Sequence, residues 1–362
     1  MKEKIILHRK KAYIILGKKI IFNKDNINFN YIIIFIISSI ILLFNSCIDE
    51  KDLDESKYSY ITLKIGNGTN YVYSKSYNFY NPEIIYINEN KQELVNKSYT
   101  FEEPENSVIL IWEKPFKNCD GMFESCDKII EINLTHFDTS QVTNMHHMFY
   151  DCNNLKYLDI SNLDTSNVVS MGAMFYNCSS LESINLSNFN TSSNTNIGTM
   201  FQGCSSLKSI NLSNFDTSKT KYFDNLFNGC SNLTSISLAN FNTSNAIYME
   251  NMFQDCTSLI SIEFQNLDLS TAEKTDNMFK NCENLLYINF KNLKPKNNTF
   301  EYNFFNDCPK NITICLENNE LIDKIKTDDC NTFDCSDNWY QLRKKIYEND
   351  KCTDNCYLTE YK

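Results

Sequence analysis

Apolar and polar positions along most of this chain follow one repeated phrase. In the segment from Met171 to Ser187, Met171, Met174, Phe175 and Cys178 stand at i, i+3, i+4 and i+7, the stripe of a short amphipathic helix. Ile184 and Leu186 then alternate with Ser183, Asn185 and Ser187, which is the period of a strand with one face turned inward. Ser166 occupies the position of a helix N-cap, and the stretch "LDTS" that ends on it carries the Asp and Ser favoured in tight turns. One unit therefore predicts a strand, a turn, a short helix and a return to strand.

The unit recurs without change of length. Cys126, Cys152, Cys178, Cys204, Cys230, Cys256, Cys282 and Cys308 are each 26 residues apart. Each reads on as CxxLxxIxL, then Asn, Phe or Leu, Asp or Asn, Thr-Ser, a variable stretch, and MFxx before the next Cys. Self-similarity at a fixed period of this size marks stacked repeats, and one such unit cannot bury its apolar stripe without neighbours. Parallel strands in successive units predict a curved α/β solenoid of about seven to eight 26-residue repeats over residues 119–316.

Residues 58–113 have a different pattern. "YSYITLKI", "YVYSKSYNFY", "PEIIYINE", "SYTF" and "SVILIWE" are Tyr-, Ile- and Val-rich runs separated by turn residues, the signature of an antiparallel all-β module. Such a module would cap the open first rung, since a solenoid exposes its core at both ends.

Charge and composition add a location. Residues 1–30 carry a net charge of +6 while the whole chain stands at −11, so the remainder carries −17. An acidic, Ser- and Asn-rich body excludes nucleic acid as a partner, because that binding needs Lys and Arg against phosphates. Between the basic head and the body lies "YIIIFIISSIILLF", Tyr31 to Phe44, short for a bilayer span and matched to the apolar part of a secretory signal. Residues 31–47 are read as a signal peptide or membrane anchor that contacts the membrane, with the body extracellular, at the cell surface or secreted. Cys47, in "LLFNSC", stands where a lipoprotein signal would be cleaved and lipidated. A cleaved signal, an uncleaved anchor and a lipidated Cys47 all stay open.

The words "FDTSQVTNMHHMFYDCNNLKYLDISNLDTSNVVSMGAMFYNCSSL" resemble the repeats of the BspA-like leucine-rich-repeat surface proteins, in particular the subtype built on "LSNFDTSxVxxMxxMFxxCxxL". The resemblance runs from Cys119 to Phe305 and implies a leucine-rich-repeat-like solenoid on a secreted or surface-anchored protein that mediates adhesion. Two departures stand out. The Asn in "LESINLSN" comes one residue sooner than in the standard repeat, and the last repeats change, with Leu269, Pro295 and Phe304, as in a C-terminal cap.

The cysteine column is expected to fill space. Equivalent residues in a stack point the same way, whereas a disulfide needs aimed side chains with Cα atoms within about 7 Å, and a metal needs converging ligands. The tail, residues 317–362, differs. Cys315, Cys330, Cys335, Cys352 and Cys356 crowd a stretch with little apolar sequence, which predicts disulfides in an oxidising compartment, with zinc the less fitting alternative. The Asn column at Asn162, Asn188, Asn214, Asn240, Asn266 and Asn292 is expected as a buried amide ladder, and Asp138, Asp164, Asp216 and Asp268 as turn formers. His146 and His147 would diverge around a helix, and no nucleophile motif accompanies any Ser or Cys, so no enzyme, cofactor or metal is expected.

The outward strand positions are the candidate binding face: Tyr157, Asp159, Asn185, Asn211, Glu263 and Tyr287. Hot spots favour aromatic residues, and only Tyr157 and Tyr287 qualify, so weak multivalent contact with a protein or glycan ligand on another cell or matrix is the expectation. A structural coat or spacer without a specific ligand is the rival. Asn133, Asn185 and Asn211 begin glycosylation sequons on the same face.

Overall fold

A computed structural model describes residues 58–74, 81–92, 97–113, 116–296, 304–305, 307–308, 312–316 and 330–334. The chain divides into two compact units, Met1–Asp54 and Glu55–Lys362, and all described residues belong to the second. The basic head, the apolar run 31–44 and Cys47 lie outside the described residues.

The N-terminal strands are β1 (Tyr58–Ile65), β2 (Gly68–Tyr71), β3 (Ile84–Ile87), β4 (Asn90–Gln92), β5 (Ser98–Phe101) and β6 (Asn106–Glu113). In β1 every second residue is buried, so Ile61, Leu63 and Ile65 face the core while Tyr60, Thr62 and Lys64 face out. β3 and β4 form a hairpin whose two turn residues, Asn88 and Glu89, both have positive φ, the backbone a two-residue hairpin loop requires. β1 pairs antiparallel with β6 on one side and with β7 (Ile129–Asn133), the first strand of the repeats, on the other. β7 in turn pairs parallel with β8 (Tyr157–Asp159), so one sheet in the order β4-β3-β6-β1-β7-β8 covers the edge that the first rung would leave open. Trp112 packs edge-on against Phe116 and Phe137 across this junction at 5.8 and 5.9 Å, and the two phenyl rings lie tilted on each other at 5.2 Å.

The repeats form a β-solenoid of about seven turns. Toward its C-terminal end, β9 (Ser235–Ser237), β10 (Ser261–Glu263), β11 (Tyr287–Asn289), β12 (Ile312–Leu316) and β13 (Cys330–Asp334) make a five-stranded parallel sheet. Its register is the sequence period itself, with Ile236 beside Ile262, Ile288 and Ile314. Between β8 and β9 the equivalent stretches around Ile184 and Ile210 form no strand pairing, although both side chains still pack against the core.

The expected helices are absent, and this corrects the α/β and leucine-rich-repeat character read from the sequence. Among the described residues there is no α-helix. From Cys119 to Cys126, alternate amides leave the rung: Cys119, Gly121, Phe123 and Ser125 donate to Asn144, His146, Met148 and Tyr150 of the next rung at 2.8 to 2.9 Å. The amides between them close four-residue turns, Met122 to Cys119, Glu124 to Gly121 and Cys126 to Phe123. A helix would send every amide to the carbonyl four residues back, so the two patterns exclude each other. Each rung keeps this path with two left-handed residues four apart, such as Ala173 and Asn177, or Asn225 and Gly229. Successive four-residue turns present side chains inward at nearly helical spacing, which is why Met171, Met174, Phe175 and Cys178 are all fully buried without a helix.

Stacking these rungs produces ladders of identical side chains. Phe123, Phe149, Phe175, Phe201, Phe227, Phe253 and Phe279 lie ring over ring at 5.4 to 5.8 Å, with interplanar angles of 3 to 12°.

Candidate functional site

Cys126 through Cys282 in the column are fully buried, Cys308 is half-buried, and all eight are free thiols. They are donors as well as filling. Cys178 Sγ donates to Phe149 O at 3.2 Å, and Cys152, Cys204, Cys230, Cys256 and Cys282 repeat this bond to the Phe of the preceding rung at 3.1 to 3.2 Å. Burial pushes the thiols up, Cys204 to about 12, so they stay protonated and supply no thiolate nucleophile. In the tail, Cys315 is buried in β12 and is disulfide-bonded, and Cys330 opens β13. Cys335, Cys352 and Cys356 lie outside the described residues.

A second column is built by the threonines of the Thr-Ser word. Thr217 Oγ1 donates to Asn242 O at 3.0 Å and accepts from Asn242 N at 2.8 Å, so one buried hydroxyl holds both backbone groups of the next rung. Thr139, Thr165, Thr191 and Thr243 do the same. Sequence reasoning missed this role, and the signal was the Thr that never varies between Thr139 and Thr243. It also missed the left-handed column before each Cys, which was legible as Asp151, Asn177, Gly203, Gly229, Asp255 and Asn281, the residue types that accept positive φ.

The Asp column forms Asx turns: Asp138, Asp164, Asp216 and Asp268 each accept from the amide two residues on. The Asn column bonds between rungs, as in Asn214 Nδ2 to Leu186 O and Phe189 O at 2.9 and 2.8 Å. Except for Asn188 its members are exposed, which corrects the expectation of a buried ladder. They trim the solenoid's edge, where each amide reaches carbonyls of the preceding rung, some of which, such as Leu186 O, also accept within their own rung.

The strand face is only partly available. Tyr157 is 65% exposed, and Asp159, Asn185 and Asn211 are exposed, while Glu263 is half-buried and accepts from Asn289 Nδ2 at 2.8 Å. Tyr287 is 4% exposed, so its place on a binding face is corrected. The outer side closes at this end, where Ser261, Asn289 and Thr313 are buried beside it and β12 is buried on both faces. Asp159, Asn185 and Asn211 each accept from the amide two residues on, so their acceptors already lock the turn beyond the strand position.

A different surface carries more chemistry. Parallel bridges join Asn118, Asn144, Ser170, Asn196, Tyr222, Tyr248 and Lys274 in one column, and two residues further along each rung stand Asp120, His146, Gly172, Gly198, Asp224, Glu250 and Asp276. His146 and His147 do not diverge: with no helix to separate them, their ring centroids are 3.8 Å apart at 47°, and His147 Nδ1 is 3.8 Å from Asp120 Oδ1. Burial holds both imidazoles below the usual range, for His146 with the neighbouring imidazole adding to it. Tyr222 and Tyr248 stack at 5.7 Å, and Lys274 Nζ lies 5.3 Å over the Tyr248 ring and 3.7 Å from Glu250 Oε1. His146, Asn196, Gly198, Thr199, Tyr222 and Asp224 line a groove that continues along Tyr248, Glu250 and Lys274 and encloses about 350 Å³.

Among the described residues no group of three or more His, Cys, Asp or Glu could hold a metal ion, and no helix is long and apolar enough to cross a membrane.

Compared with known proteins, the chain matches one family model twice, over residues 117–211 and 200–292; its description is a Mycoplasma protein of unknown function, DUF285. Over these residues the chain is similar to that family's repeat. Each match covers several of the rungs described above, and together they include the turn ladder from Asn118 to Phe279 and the whole groove. No curated protein and no solved structure matches the chain.

Proposed function

We propose that the chain is a non-catalytic binding protein akin to the BspA-like repeat surface proteins, carried at the cell surface or secreted, that mediates adhesion to a protein or glycan on another cell or matrix. The observation that carries this reading is the repeat itself. Rungs of one length expose the same polar positions again and again, a surface suited to many weak contacts that add. The basic head followed by an apolar run of residues 31–44 supports export and membrane attachment, with Cys47 the candidate lipid acceptor. The tail cysteines support a disulfide-held cap in an oxidising compartment. Asn185 and Asn211, both exposed, support glycosylation in a host that performs it.

A coat or spacer without a ligand is the second reading, favoured by a strand face on which Tyr157 is the exposed aromatic. Attachment of cells displaying the full chain to neighbouring cells separates the two. Retention above that of cells lacking the protein is the expected outcome, and equal retention would leave the spacer. Mass spectrometry of the mature N-terminus tests the location: cleavage and lipid at Cys47, cleavage elsewhere, or an intact head each names a different anchor.

A further inference from the structure

The groove on the bridge column has the make-up of a sugar site, and Gly198 lies in its lining. A Cβ on Gly172 would stand 2.8 Å from His146 Nδ1 and 2.9 Å from Asn196 Nδ2, and one on Gly198 would stand 2.7 Å from Asp224 Oδ1. Both glycines are thus closely covered by side chains of neighbouring rungs, and Gly198 lets Asp224 lie against its own rung at the groove wall. The groove's lining runs from His146 past Tyr222 and Tyr248 to Lys274. Tyr222 stacks on Tyr248, whose ring is covered in turn by the Lys274 ammonium, so this aromatic stack is closed at the Lys274 end, and at the other it meets the small rung of Asn196 and Gly198. From His146 to Glu250 the column spans four rung steps, roughly 19 Å at sheet spacing.

The polar groups are of mixed kind. Asn196 offers an amide, Asp224 and Glu250 carboxylates, Thr199 a hydroxyl, His146 an imidazole. Glu250 Oε2 and His146 Nδ1 are buried without a hydrogen-bond partner, and buried polar atoms of this kind call for one. Lys274 offsets the Glu250 charge, so the groove suits neither a polyanion nor a strongly cationic chain. Donors and acceptors beside an aromatic ring suit a ligand with an apolar ring face and many hydroxyls.

We propose that this groove binds an uncharged oligosaccharide, with Tyr222 as the platform for a sugar ring and Asn196, Asp224, Glu250 and His146 as partners of its hydroxyls. The inference rests on the reading of the chain as a binding protein and moves the contact from the strand face to the bridge column.

The test is an array of neutral linear oligosaccharides of glucose, N-acetylglucosamine, mannose and xylose, probed with the full chain and followed by calorimetric titration of the hexamer that is retained. Retention of at least one class is expected, with Tyr222→Ala and Asp224→Asn each weakening it tenfold or more while thermal melting shows both variants folded. Tyr157→Ala is expected to leave it unchanged. If Tyr222→Ala does not fold, Asp224→Asn and Gly198→Ala, which displaces Asp224, decide the outcome. Retention of no neutral sugar, or retention indifferent to these variants, would overturn the groove. Loss on Tyr157→Ala instead would overturn it in favour of the strand face and leave the adhesion reading standing. Sugar binding without any attachment of cells would do the reverse.

Discussion

The two long sides of each rung are held together in different ways. On the turn side, every second amide from Cys119 to Phe279 donates to the next rung, and the phenyl ladder runs beside it without a gap. On the strand side the ladder of backbone bonds is interrupted: the stretches around Ile184 and Ile210 lie between β8 and β9 with no strand pairing. The rungs nevertheless keep their register there. Cohesion of this solenoid therefore resides in the turns, while the strand side follows and is free to present a polar surface.

If that contrast is right, alkali should loosen the turn side most. A thiol raised by burial stays protonated in the folded chain while the unfolded chain ionises above about 8.5. Stability is therefore full below that pH and falls as pH rises toward the folded value, about 12 for Cys204. Each column thiol contributes about 1.4 kcal/mol per pH unit in this window, so denaturant midpoints should drop steeply between pH 8.5 and 10. A flat profile would show the thiols to be wetter than the fold places them.

Phe201→Ala removes the middle of the ring ladder and is expected to cost about 3–5 kcal/mol by equilibrium unfolding. Ile210→Ala, on the unpaired strand stretch, should cost less than half as much, and equal losses would erase the difference between the sides. Thr217→Val leaves the Asn242 amide and carbonyl without their hydroxyl, for about 2–3 kcal/mol, and Thr217→Ser should restore most of it. Hydrogen exchange sharpens the comparison without mutation. Amides of Phe201 and Gly203 should be protected at least tenfold more than those of Asn211 and Leu212. The smallest effect is a gain: Thr199 is β-branched at φ 57, and Thr199→Asn, the residue that Asn225, Asn251 and Asn277 supply in later rungs, should add about 1 kcal/mol.

The period and the inward set of side chains were legible in the sequence, because Met171, Met174, Phe175, Cys178 and Leu186 must all be hidden for any stack to form. The register of the strands was legible for the same reason, with Ile262 beside Ile236 and Ile288. What misled was the spacing i, i+3, i+4, i+7, which a helix and a run of four-residue turns both satisfy. Asn177, Gly203 and Gly229 before the cysteines suit the end of a short helix equally well. What a helix could not hold is the second left-handed residue four positions earlier, and His147, Ala173 and Thr199 there give no sign of it in the sequence. The fate of Tyr287 was not legible, because alternation tells which side of a strand a residue takes and not whether distant chain covers that side. The groove escaped for a related reason: its walls come from rungs 26 residues apart, so no contiguous motif marks it.

Each rung from Cys152 to Cys256 offers the turn amides of its predecessor the acceptors that its own amides find on its successor, so the stack has no preferred middle. A gene for such a molecule can lose or gain a 26-residue cassette and still meet both end pieces in register. The protein's reach is thereby adjustable in whole steps, and variation between copies should show up as discrete lengths, with insertions of intermediate size selected against.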